Sequence, residues 1–75
     1  MKKISIIGQI AEMEREIAMR ERVYPEQVRR GKMRQAEAEM LMERAFAIRA
    51  TLMFCRDHEA DIRAYIAARA AGGRA

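Results

Sequence analysis

Apolar positions fall at helical spacing in two stretches of this chain. In the first, Ile6, Ile10, Met13 and Ile17 follow one another in steps of four, three and four, and Tyr24 lies later on the same track. Arg20 breaks the series. The pattern predicts a helix over residues 4–23. Tyr24 precedes a proline and is biased out of helical backbone. Pro25 suits the first position of a new helix, and Gly31 suits the left-handed conformation that ends one. Residues 25–30 therefore read as a short helix in a sharp elbow.

The second stretch is longer. Ala38, Leu41, Ala45, Ile48, Leu52, Cys55, Glu59, Ile62 and Ile66 alternate steps of three and four, with Glu59 the one polar interruption. No Gly or Pro occurs between positions 32 and 71. One helix is predicted over 35–70, ended by Gly72-Gly73, with a tail over 71–75. Its start is weakly marked. Glu37 stands where a capping-box glutamate would, and Met33 can staple onto Ala38, but Arg34 is a poor cap.

Laid antiparallel, the two stripes pair Ile17 with Leu41, Met13 with Ala45, Ile10 with Ile48 and Ile6 with Leu52. Large faces small at Met13–Ala45, which favours interdigitation. The predicted fold is all-α: an antiparallel helical hairpin with an elbow helix, whose long C-terminal helix outruns its partner. Met42, Phe46 and Met53 form a second apolar stripe on the long helix, and Met40, Ala47, Phe54, His58 and Tyr65 a third. A helix apolar nearly all round is buried in something larger. Two hairpins joined in a homodimeric four-helix bundle would supply that burial. The dimer or partner surface is expected at Met42, Phe46, Met53, Phe54, His58, Ile62, Tyr65 and Ile66. A three-helix monomer is the alternative, with the chain turning back at Arg56-Asp57, where Asp57 is a competent N-cap.

Seventy-five residues make one domain at most, and a core of that size is marginal without a disulfide, metal or oligomerisation. The single cysteine, Cys55, excludes an intramolecular disulfide and suits a reducing compartment such as the cytoplasm. The apolar start, MKKISIIGQ, is soon interrupted by Glu12, Glu14 and Arg15, which argues against a signal peptide. No apolar run approaches the ~20 residues that span a bilayer.

Net charge is +4, and twelve of the fifteen basic residues are arginine. Most charge is interleaved Glu and Arg, the composition of a solvated helix face. The elbow is the exception. Arg29, Arg30, Lys32 and Arg34 cluster there and are the candidate contacts for nucleic-acid phosphates; a solvated turn is the plainer reading. Cys55 and His58 are helical neighbours that a dimer axis would bring together as a four-ligand zinc set, but Cys55 also sits in the seam, where it packs as a small hydrophobe. His58 has no obvious nucleophile beside it. No phosphate loop, carboxylate pair or metal signature is present, so neither an enzyme nor a cofactor is indicated.

Across residues 12–52 the chain resembles a group of short uncharacterised proteins of bacteriophages and prophages, often of the transposable, Mu-like kind. The likeness rests on Arg22, Val23, Tyr24, Pro25, Val28, Gly31, Lys32 and Met33, followed by Ala36, Glu37 and Ala38. Relatives often carry Ser or Thr where this chain has Arg34. The resemblance implies a phage-derived origin and carries no catalytic residues. The expected function is a non-enzymatic interaction protein that binds a host or phage protein as a homodimer; a small nucleic-acid-binding accessory protein is the alternative.

Overall fold

The computed structural model describes residues 2–73, which form three helices: α1 (Ile6–Arg29), α2 (Gln35–Asp57) and α3 (Glu59–Gly72). No strand occurs among the described residues. Ser5 caps α1: its Oγ accepts a hydrogen bond from the Gly8 N–H at 3.1 Å, satisfying a donor that the first turn leaves free. The first helix therefore begins two residues later than its apolar pattern predicts.

Pro25 does not break the chain. Helix α1 runs through it to Arg29, so the predicted pair of helices at 4–23 and 25–30 is one helix. A helix-interior proline removes one backbone bond and crowds the carbonyl four residues back, at a cost of about 3 kcal/mol. Here both Pro25 and Glu21 are exposed, so the carbonyl that loses its donor faces water. Beyond the proline, Glu26 pairs with Arg29 and Arg30, and Tyr24 and Val28 stay half-buried against α2. The Glu26 pairs would form in a separate helix over 25–30 as well; what needs an unbroken helix is that Tyr24 and Val28, four residues apart across the proline, share the face toward α2.

The helix stops where the sequence says it should. Gly31 has φ of 73°, the left-handed conformation that glycine adopts without steric cost. Its N–H donates to the Val28 carbonyl and the Lys32 N–H to the Gln27 carbonyl, at 3.0 and 2.9 Å. These are the two bonds of a Schellman closure. Helix α2 then opens at Arg34, whose side chain makes no capping bond.

Among the described residues four are buried: Ile10 and Ile17 on α1, Ala38 and Ala45 on α2. Ala45 is wholly enclosed, and its small side chain lets the helices approach closely. Around them Ile6, Met13, Tyr24, Leu41, Met42 and Leu52 are half-buried. Arg20 of α1 reaches the Leu41 carbonyl of α2, close to the predicted Ile17–Leu41 pairing. The seam on α2 follows the seven-residue series Ala38, Ala45, Leu52, and Ile48 departs from the prediction: it lies on the flank, 49% exposed.

The predicted long helix is interrupted once. His58 has φ −112° and ψ 11°, so α2 and α3 are separate by a single residue. The distortion is small: the His58 N–H still donates to Phe54 and the Ile62 N–H to His58, each four residues back. Asp57, Glu59 and Asp61 gather at the joint, where acidic side chains oppose the C-terminal end of one helix and favour the start of another. The chain does not turn back here. α3 carries on beyond the end of α2 and meets it only at the joint, and the molecule measures 63 × 23 × 23 Å, close to the ~57 Å that residues 35–72 span as one line of helix. The three-helix alternative is thereby set aside. The tail predicted over 71–75 is shortened, since α3 reaches Gly72; residues 74 and 75 lie outside the described residues.

If Pro25 is tolerated rather than required, Pro25→Ala should raise stability to urea by about 1–3 kcal/mol, through the restored bond to Glu21. A loss of stability would show that the proline shapes the helix end instead.

Candidate interaction surface

The expected surface residues are dispersed around the α2–α3 arm. Met42 and Met53 are half-buried, and Met42 lines a groove with Tyr24, Val28 and Ala38 at the loop end. Phe46 lies on the same side as these methionines, with the Arg49 guanidinium 5.3 Å above its ring. Phe54 is 60% exposed, and its ring lies 4.4 Å from that of His58, tilted by 42°. Four aliphatic and aromatic side chains therefore stand in water near the far end: Phe54, Ile62, Tyr65 and Ile66, the last two 61% and 60% exposed. None of the described residues of α3 is buried.

Their placement follows from the fold. At about 100° per residue, Ile62 and Ile66 fall on the flank that carries Cys55, and Phe54, His58 and Tyr65 lie further round, away from α1. The first group continues into a groove. Ile6 and Lys3, at the start of α1, form one wall, and Cys55, Ile62 and Ile66 form the other. The apolar arc on the arm is thus two adjacent strips rather than the single centre at Phe54, Ile62, Tyr65 and Ile66.

The basic elbow divides in two. Arg29 and Arg30 both pair with Glu26, the Arg30 Nε–Oε1 distance being 3.1 Å. Lys32 and Arg34 are exposed and form no ion pair among the described residues. The cations that flank Gly31 therefore differ: two serve the end of α1, and two are turned to solvent.

Cys55 is half-buried at the groove, and His58 is exposed, with Nδ1 4.0 Å from Asp61 Oδ2. Among the described residues no group of three or more His, Cys, Asp or Glu is arranged to hold a metal ion. Among the described residues no helix is long and apolar enough to cross a membrane.

Arg20 is the functional-looking residue that the apolar pattern leaves out. Its Nε donates to Glu16 Oε1 at 2.8 Å, and Nη1 donates to the Leu41 carbonyl at 2.9 Å. Its guanidinium also lies 5.9 Å from the Tyr24 ring centre. The side chain is only 21% exposed. What interrupts the stripe is therefore a cross-helix strut, its stem packed and its fork bonded. Glu16, four residues earlier, is the sequence signal for it.

No family model, curated protein or solved structure matches this chain. Its surface chemistry must speak for it, and that chemistry is apolar side chains presented on an uncovered helix.

Arg20→Ala should cost about 1–3 kcal/mol in urea unfolding, because it removes a charge-assisted bond and packed methylenes together. Arg20→Lys should recover only part of this, since ammonium cannot bond Glu16 and Leu41 in the same fork. Equal stability of both variants and the parent would remove the strut.

Proposed function

We propose that this chain is a non-enzymatic interaction protein: an antiparallel helical hairpin that homodimerises and binds a host or phage protein through the apolar faces of its α2–α3 arm. The observation that carries this reading is the uncovered end of the arm. A 14-residue helix is marginal in water by itself, yet α3 and the end of α2 expose Phe54, Ile62, Tyr65 and Ile66 together. Contiguous exposed apolar surface of this kind marks protein contacts. Two hairpins side by side would make a four-helix bundle and cover one strip of the arc. The other strip, with Phe54, His58 and Tyr65, then remains for a second protein. The resemblance of residues 12–52 to phage and prophage proteins supports a role in a phage or its host, in the cytoplasm.

A second reading, a nucleic-acid-binding accessory protein, draws support from Lys32 and Arg34, exposed beside the start of α2. It expects binding of duplex or single strands that falls steeply with salt. Replacing Lys32 and Arg34 with Gln should remove it, and an absence of binding at low salt would end this reading.

For the first reading, sedimentation at micromolar concentration should give a dimer. Ile62→Asp should weaken that dimer about tenfold or more, because a charge would enter a buried face. Phe54→Asp tests the neighbouring strip. A monomer of full helicity would overturn the dimer, and a dimer indifferent to both variants would place its interface elsewhere.

A further inference from the structure

We infer that α3 is covered by α3 of a second copy, running antiparallel about a twofold axis beside Ala64. This rests on the dimer reading above but replaces its side-by-side four-helix bundle with an end-over-end contact. Residues Cys55, Glu59, Ile62, Ile66, Arg69 and Gly73 follow one another in steps of four and three, and so form one stripe along the exposed arm. That stripe is its own complement when reversed. With Ala64 on the axis, Ile62 meets Ile66 of the second copy, and Glu59 meets Arg69 of the second copy. Twofold symmetry repeats each pair. Every apolar position then faces an apolar one, and every charge faces its opposite.

A parallel arrangement has the reverse effect, setting Glu59 against Glu59 and Arg69 against Arg69. The antiparallel one also brings the N-terminal end of each α3, with Glu59 and Asp61, beside the C-terminal end of the other, so the helix dipoles reinforce the pairing. The charges are available for it. Glu59 accepts a single 3.3 Å bond from Arg63, and Arg69 makes a single 3.4 Å contact with the Tyr65 hydroxyl, all on exposed surface.

Length selects this register from its neighbours. The start of α1 lies beside the α2–α3 joint, where Lys3 and Ile6 share a groove with Cys55 and Glu59. With the axis at Ala64, the second α3 fills the arm beyond that point and reaches the start of α1 with Gly72 and Gly73, which carry no side chains to collide. A shift of one heptad toward the loop drives it into α1. A shift of one heptad the other way leaves Ile62 uncovered. The dimer is therefore end-over-end: each α3 takes the place that a longer α1 would fill, and the two α1–α2 pairs lie at opposite ends. Four helices do not meet at one level. Phe54 and Tyr65 remain outside this contact.

Charge exchange tests it. Glu59→Arg and Arg69→Glu, each alone, should weaken the dimer about tenfold or more by sedimentation, since each places like charges together twice. An equimolar mixture of the two variants should restore the dimer, because both opposite-charge pairs re-form between unlike chains. The double variant should also dimerise. Circular dichroism of each single variant reports whether α3 stays folded, and recovery in the mixture excludes misfolding as the cause. A parent dimer that ignores the single changes, or variants that the mixture does not rescue, would overturn this register while leaving the dimer in place. A monomeric parent would overturn both. As a second measurement, on a Cys55→Ser background, Ile62→Cys mixed with Ile66→Cys should cross-link faster than either alone; faster cross-linking of Ile62→Cys with itself would indicate parallel helices and overturn it.

Discussion

All four buried residues lie where α1 faces α2, and that contact is what the remaining structure depends on. α1 has 24 residues and so spans about 36 Å, whereas α2 and α3 together run to about 57 Å. The shorter helix cannot cover the longer arm. Beyond the joint at His58 only the start of α1 comes near, at the groove with Ile62 and Ile66, and none of the described residues there is buried. The chain thus combines a very small core with a large exposed apolar surface.

Within the covered part, the buried positions on α2 are the small Ala38 and Ala45, and on α1 they are the large Ile10 and Ile17, so small faces large across the contact. Arg20 fits the same geometry. Its stem lies in the contact, while its fork reaches the Leu41 carbonyl and Glu16, so a charge can occupy the seam without an unmet bond. The loop completes the arrangement: Gly31 reverses the chain with the carbonyls of α1 satisfied, and α2 begins without a side-chain cap at Arg34, which leaves its start to packing.

Much of this was legible in the residues. The spacing of Ile6, Ile10, Met13 and Ile17, and of Ala38, Ala45 and Leu52, marked two helices and their facing sides. Gly31 marked the end of the first. The excess of the second stripe beyond Cys55 marked an uncovered arm. Three features were misread for identifiable reasons. Pro25 is a helix breaker by local preference, but an unbroken helix sets Tyr24 and Val28, on either side of it, on one face against Ala38 and Met42. Ile48 belongs to the stripe by spacing, yet it lies on the flank of the contact, 49% exposed, because the buried line on α2 runs through Ala38 and Ala45. Arg20 looked like an interruption because charge was weighed without the backbone carbonyl that would receive it.

The sequence by itself determined the all-α class, the two amphipathic runs, the glycine-closed turn and the mismatch in their lengths, since each follows from local spacing or from one residue's backbone freedom. Tertiary structure alone decided the flank position of Ile48, the passage of α1 through Pro25, the small break at His58 and the two separate strips on the arm. These depend on energies of a few kcal/mol or less that arise only when distant residues meet, and no local pattern records which meeting is tighter.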